Sequence, residues 1–136
     1  QVRNPDRVSF SDWLINSLIH EKIITVFDDV YFSPLSLQTL VQQLEVVILK
    51  RHKGVFNLGS KEGMSKADFA FKLAQVLGLA TKKMNRGRVD MVRLTASRAK
   101  DMRMDSSLFE HVFGVELPKL ETEIQLMEEV YSDTSG

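Results

Sequence analysis

Residues 22–60, KIITVFDDVYFSPLSLQTLVQQLEVVILKRHKGVFNLGS, decide the fold of this chain. Ile23 to Phe27 is apolar and largely β-branched, which predicts a strand that Asp28-Asp29 ends. Ser33-Pro34 predicts a sharp helix start, with Ser33 as N-cap and Pro34 at the first helical position, where its missing amide hydrogen costs nothing. Leu37, Leu40, Val41, Leu44, Val47 and Ile48 then follow helical spacing. Lys50, Arg51, His52 and Lys53 place cations at the negative end of that helix, and Gly54 predicts a left-handed cap. Val55 to Leu58 predicts a second short strand, with Gly59 to Gly63 as the turn after it. The segment therefore reads as strand, helix, strand.

Outward from this segment the elements remain mixed α and β. On the N-terminal side, Ser9-Phe10-Ser11-Asp12 has the form of a capping box, Val8 can staple onto Trp13, and Leu14, Ile15, Leu18 and Ile19 form an apolar stripe. On the C-terminal side, Ser65-Lys66-Ala67-Asp68 opens a helix with Ala70, Leu73, Ala74 and Leu77 on one face, ending near Gly78. Thr81 to Gly87 reads as a basic loop, Arg88 to Thr95 as a strand, and Ala96 to Asp105 as a polar extended segment. A short helix from Ser107 to Phe113-Gly114 and a last helix after Pro118 complete the pattern. No repeat or low-complexity tract interrupts it. The expectation is a single partial domain spanning residues 1–136, with residues 1–8 and 132–136 flexible.

At 136 residues, 43% hydrophobic and 26% charged, the chain suits one globular unit. Eighteen basic and eighteen acidic side chains cancel, so no global field steers it toward nucleic acid or an anionic membrane. The absence of cysteine excludes a disulfide framework and a thiolate zinc site. No apolar run approaches the roughly 20 residues of a membrane span, and the QVRNPDR start has no signal-peptide core, so a cytoplasmic location is expected.

His20, His52 and His111 fall on different elements without metal-ligand spacing, and no metal site is expected. Asp28-Asp29 could serve as general acid/base or as an acceptor for ligand hydroxyls, but adjacent acids after a strand suit a turn first. Gly59 to Gly63 matches neither G-x-G-x-x-G nor the P-loop pattern. Lys82, Lys83, Arg86, Arg88, Arg93, Arg98, Lys100 and Arg103 form a local cationic region, while acids gather between Glu110 and Glu129. That separation favours an anionic ligand, since guanidinium forks match phosphate oxygens; a solvated basic loop is the plainer reading.

The succession SFSDWL, VFDDVYFSPLSLQTLV, GVFNLGSKEGMSKADFAFKLAQVLGL and SRAKDMRMDSSLFEHVFGVELPKLETEI, covering Ser9 to about Tyr131, resembles the C-terminal half of extended short-chain dehydrogenase/reductases. The branch it is most similar to is the dTDP-4-dehydrorhamnose reductase (sugar-nucleotide reductase) family. The resemblance implies an α/β substrate-binding half of about five helices with a few short strands, lacking the Rossmann dinucleotide-binding half. It implies a nucleotide-diphosphate sugar as ligand and the missing Rossmann half as partner. NAD or NADP is expected in the complete protein and none bound by this chain alone, because the glycine fingerprint and the Tyr-x-x-x-Lys pair are absent: Leu35 stands four residues after Tyr31, and Ser135 four after Tyr131. The reading is thus the substrate-binding portion of an NAD(P)-dependent oxidoreductase, not catalytic alone. The alternative is a non-catalytic regulatory or protein-interaction domain on the same fold.

The resemblance also implies site residues. In the family an arginine before the penultimate helix reaches the substrate diphosphate, in an Arg-Pro motif followed by an apolar-Asp pair. Here Arg98-Ala99 precedes Met104-Asp105, so Arg98 is the candidate, with Lys100 or Arg103 assisting. Phe10 and Phe27 lie in segments that the resemblance places beside the nucleotide, although at helical or strand spacing the core is the plainer reading of both. Finally, the family places Val55 to Leu58 at the edge of the Rossmann sheet, so self-association or partial disorder is expected at that edge and at the face of the helix after Ser65.

Overall fold

The computed structural model describes residues 9–89 and 100–135. In chain order these form α1 (Phe10–Ile19), β1 (Ile24–Phe27), β2 (Tyr31–Phe32), α2 (Leu37–Lys50), β3 (Met64–Ser65), α3 (Lys66–Leu77), β4 (Met84–Gly87), β5 (Asp101–Met102), α4 (Ser107–Phe113) and α5 (Leu120–Ser135). The class is α/β, five helices and a few short strands, as the sequence predicts.

Two small sheets organise it. β1 pairs in parallel with β4, Ile24 opposite Met84 and Phe27 opposite Gly87. In the second sheet β2 is central, antiparallel to β3 and parallel to β5. β4 falls in the stretch that reads as a basic loop. Met84 is its one buried side chain, and pairing with β1 supplies what local propensity does not. Gly87 allows this pairing to close, because a Cβ there would lie 2.6 Å from Thr25 Cγ2. Most of the strand predicted from Arg88 to Thr95 falls outside the described residues, and residues 88 and 89 are not in a strand.

α1 and α3 begin where their serines predict. Ser9 Oγ accepts the Asp12 N–H at 3.2 Å, and Ser65 Oγ accepts the Asp68 N–H at 3.0 Å. α3 is the hub of the larger core: Ala67, Phe69, Ala70, Leu73 and Ala74 are buried together with Leu14 and Leu18 of α1, Ile24 and Val26 of β1, and Leu120 and Ile124 of α5. The alanines permit close approach of α5 and β1. This corrects the expectation that the α3 face would be left sticky, since α1, β1 and α5 already cover it.

α2 departs from its prediction at both ends. It starts three residues late, with Ser36 as N-cap accepting the Thr39 N–H at 3.1 Å. Ser33 is not free to cap, because its hydroxyl accepts the Met104 N–H and its carbonyl accepts the Ser60 N–H. The helix ends at Arg51, which adopts the left-handed conformation (φ 52°) and donates its N–H to Val47, so Gly54 is not the cap. Residues 55–58 are not a strand: among the described residues no ladder partner exists for them. Phe56 and Leu58 instead pack with Val46 and Val47 on a second apolar cluster of Phe109, Phe113 and Leu117.

A buried acid ties α5 to α2. Glu123 accepts the Ser36 N–H at 3.1 Å and the Thr39 hydroxyl at 2.5 Å, placing a carboxylate at the positive end of the α2 dipole. A second acid, Glu110 of α4, accepts the Leu117 N–H at 2.8 Å and pairs with Lys61 at 2.9 Å. Burial alone would raise the Glu110 carboxyl, but the Leu117 N–H and the Lys61 ammonium outweigh it and hold the group below the usual glutamate range. Because the folded-state value is depressed, this stabilisation is full at neutral pH. It is lost as the pH falls below about 4.3 and through the folded value. Glu110→Gln is expected to cost about 1 kcal/mol at pH 7 in urea unfolding. Its deficit against the unsubstituted chain should shrink at pH 3; a pH-independent deficit would contradict the assignment.

Candidate functional site

The cationic segment predicted to meet an anionic ligand leaves β4 at Arg88-Val89 and returns at Lys100, and the structure joins its two stems at Asp29. Asp29 follows β1 directly and is only 8% exposed. Its Oδ1 accepts the Val89 N–H at 2.8 Å, and its Oδ2 lies 3.7 Å from Lys100 Nζ. Alongside, Lys100 O accepts the Tyr31 N–H at 2.7 Å and Gly87 O accepts the Asp28 N–H at 2.9 Å. Burial pushes the Asp29 carboxyl up, but the Val89 N–H, its own N–H and the charges of Arg88 and Lys100 outweigh that, leaving it below the usual aspartate range. Asp29 is therefore an ionised anchor. The sequence marks it only as half of an acidic turn; the readable signal is an acidic pair at a strand end in a chain whose cations concentrate elsewhere.

Of the sequence-derived candidates, Arg98 lies outside the described residues. Lys100 stands at the stem, facing Asp29. Arg103 follows β5 and is already engaged: Nε and Nη2 bind the Asp101 carboxylate at 2.8 and 2.6 Å, and the guanidinium lies 4.9 Å from the Tyr31 ring centroid. The bidentate Arg103 contact pulls the Asp101 carboxyl down to about 2 and raises Arg103 itself. Lys100 and Arg103 thus flank β5, beside β2.

Phe10 and Phe27 are not brought together. Phe10 sits in an aromatic cluster, 5.7 Å from Phe32, 5.9 Å from Phe69 and 5.9 Å from Trp13 between ring centroids, with Lys66 Nζ 5.2 Å from its centroid. That is packing at the rim of the larger core. Phe27 ends β1 opposite Gly87, half-buried, two residues before Asp29.

A separate groove of about 370 Å³ lies between α3 and β4, lined by Met64, Asp68, Phe71, Lys72, Gln75 and Arg86. Its cations are already neutralised, Arg86 by Asp68 at 2.9 Å and Lys72 by Glu121 at 2.6 Å, so it lacks the positive potential of an anion site. Among the described residues no group of three His, Asp or Glu is placed to hold a metal ion, and no helix is long and apolar enough to cross a membrane.

The architecture is that of an α/β unit in which the buried Asp29 joins Val89, after β4, to Lys100, before β5. The chain belongs to the RmlD substrate binding domain family, whose model matches residues 5–132. Its fold is similar to that of dTDP-4-dehydrorhamnose reductase from Clostridium acetobutylicum (TM-score 0.81, 20% identity, covering 93% of this chain and 45% of that one). It is also similar to the reductases from Yersinia enterocolitica (TM-score 0.76, 19% identity, 92% and 44% covered) and from Bacillus anthracis, the latter solved with NADP (TM-score 0.78, 17% identity, 88% and 42% covered). The chain therefore spans less than half the length of these solved relatives. No curated protein matches it in sequence.

Proposed function

We propose that this chain is the sugar-nucleotide-binding portion of an NAD(P)-dependent reductase of the dTDP-4-dehydrorhamnose reductase type, acting in the cytoplasm and not catalytic alone. The observation that carries the reading is the match of residues 5–132 to a substrate-binding domain family. The Asp29 anchor supports it, since it fixes both stems of the segment that bears Arg98. In this reading Arg98 contacts the diphosphate, Lys100 contributes charge at the stem, and Arg103 holds the adjoining β5 edge through Asp101. NADP accompanies one solved relative and NAD another, a dTDP-glucose 4,6-dehydratase from Bacillus anthracis. The dinucleotide is assigned to a Rossmann half outside this chain, because residues 1–136 contain neither a glycine fingerprint nor a Tyr-x-x-x-Lys pair.

The test is a titration of dTDP- and UDP-sugars followed by amide shifts. Shifts are expected at residues 23–29 and around Arg98, and their absence with both ligands would remove the reading. In the complete protein, Arg98→Ala is expected to weaken nucleotide-sugar affinity by at least ~1.5 kcal/mol, the scale of a charge-assisted hydrogen bond. An unchanged dissociation constant would take Arg98 out of the site.

A further inference from the structure

The residue after β5 carries a guanidinium that the fold holds in one place. Side chains alternate along a strand, and Tyr31 of β2 stands opposite Asp101 of β5, so Tyr31, Asp101 and Arg103 share one face of the small sheet. Phe32 and Met102 take the other face, where Phe32 packs against the larger core. Arg103 is fixed from several directions. Asp101 takes its Nε and Nη2 in a fork and also accepts its backbone N–H at 3.1 Å, while the Tyr31 ring lies against the guanidinium. The stem passes over Gly63, where a Cβ would stand 2.9 Å from Arg103 Cγ.

A cation bound in this way is a poor anion site and a good platform. The Asp101 carboxylate offsets its charge, so it offers a phosphate little attraction. What remains is its shape, a rigid delocalised plane of the kind on which bases stack in nucleic-acid recognition. That plane is accessible. Arg103 keeps 47% of its side chain exposed and Asp101 53%, and with Tyr31 on one side of the guanidinium the open face is the other. Its position also suits a nucleotide. β5 begins directly after Lys100, so three residues of extended chain, about 10 Å, separate Arg103 from the end of the segment assigned above to the diphosphate.

We infer that the open face of the Arg103 guanidinium, pinned by Asp101 and backed by Tyr31, bears the pyrimidine ring of the nucleotide sugar. The inference rests on the function proposed above and gives Arg103 a task distinct from that of Arg98, the base and not the diphosphate. A structural clamp is the competing role. A clamp needs Asp101 but no open face, and a lysine, which keeps the charge and can still pair with Asp101, serves it nearly as well. A stacked base loses its support in that substitution, because an ammonium is a point charge without a plane.

The test is Arg103→Lys in the complete protein, titrated with dTDP and with UDP. Affinity for both is expected to fall at least about fivefold, the lower end of what one stacked base contributes, with the melting temperature unchanged. In the unsubstituted protein the Arg103 Nε–H resonance is expected to move upfield as either nucleotide is added, since a ring above the guanidinium shields it. A hydrogen bond to phosphate moves the same resonance downfield. A downfield or absent shift overturns the inference, as does a loss of affinity that comes with a lowered melting temperature and an unmoved resonance, which marks the clamp. If neither nucleotide binds the unsubstituted protein, the substrate reading falls and the inference with it. Binding that persists undiminished in Arg103→Lys removes the inference alone.

Discussion

Phe113→Ala is expected to cost about 3–5 kcal/mol of stability, enough to unfold much of a small domain. Phe113 is fully buried. Its ring centroid lies 4.6 Å from Phe109, 5.2 Å from Phe56 and 5.4 Å from His52, so truncation opens a cavity bordered by three rings. The Phe113 carbonyl also accepts the Lys50 ammonium, which fastens the C-terminus of α4 to that of α2. Urea denaturation followed by circular dichroism measures the loss. A deficit under about 1 kcal/mol would show that the second cluster is not an energetic core.

Glu123→Ala is expected to cost about 3 kcal/mol, for a different reason. The substitution removes little apolar surface but strips the acceptor from the Ser36 N–H and the Thr39 hydroxyl at a buried helix start. Two donors are then left where water reaches poorly, and the α2 dipole loses its counter-charge. Glu123→Gln keeps one carbonyl oxygen as acceptor and should lose less than half as much. Equal losses for the two substitutions would argue that charge, and not hydrogen bonding, carries the effect. Thermal unfolding of the three proteins at one pH decides between them.

Which parts of this architecture could be read from the residues follows from how local their causes are. Ser9 and Ser65 cap α1 and α3 through amides three residues away, so their neighbours announce them. Ser33 has the same appearance, but its hydroxyl serves Met104, 71 residues on, and the cap moves to Ser36. β4 could not be read because its reason to be a strand is β1. The spacing of Leu37, Val41, Leu44 and Ile48 gives a helix, but not that these four side chains are exposed. Periodicity reports where apolar side chains lie on a helix, not what covers them.

The site divides in the same way. Lys100 and Arg103 were legible as cations, and the structure sets both beside β5. Arg103 turns out to be committed to Asp101 and Tyr31, a partnership within two residues for the acid and one across the sheet for the ring. Asp29 was legible only as half of an acidic pair at a strand end, since its partners Val89 and Lys100 are distant in sequence. Phe10 resolves toward the core, because the rings that meet it come from β2, α3 and its own helix.

The bonds that close this fold also set when it can form. Asp29 meets Val89 across 60 residues, Ser33 meets Met104 across 71, and Thr39 meets Glu123 across 84. At about 5–20 residues per second, a ribosome takes roughly 4 to 17 seconds to deliver the acid that Thr39 awaits. Until then β1 and α2 lack these partners. High contact order of this kind slows folding after release as well. The contacts that fix β1 and α2 therefore form only once the residues between Val89 and Glu123 have been made.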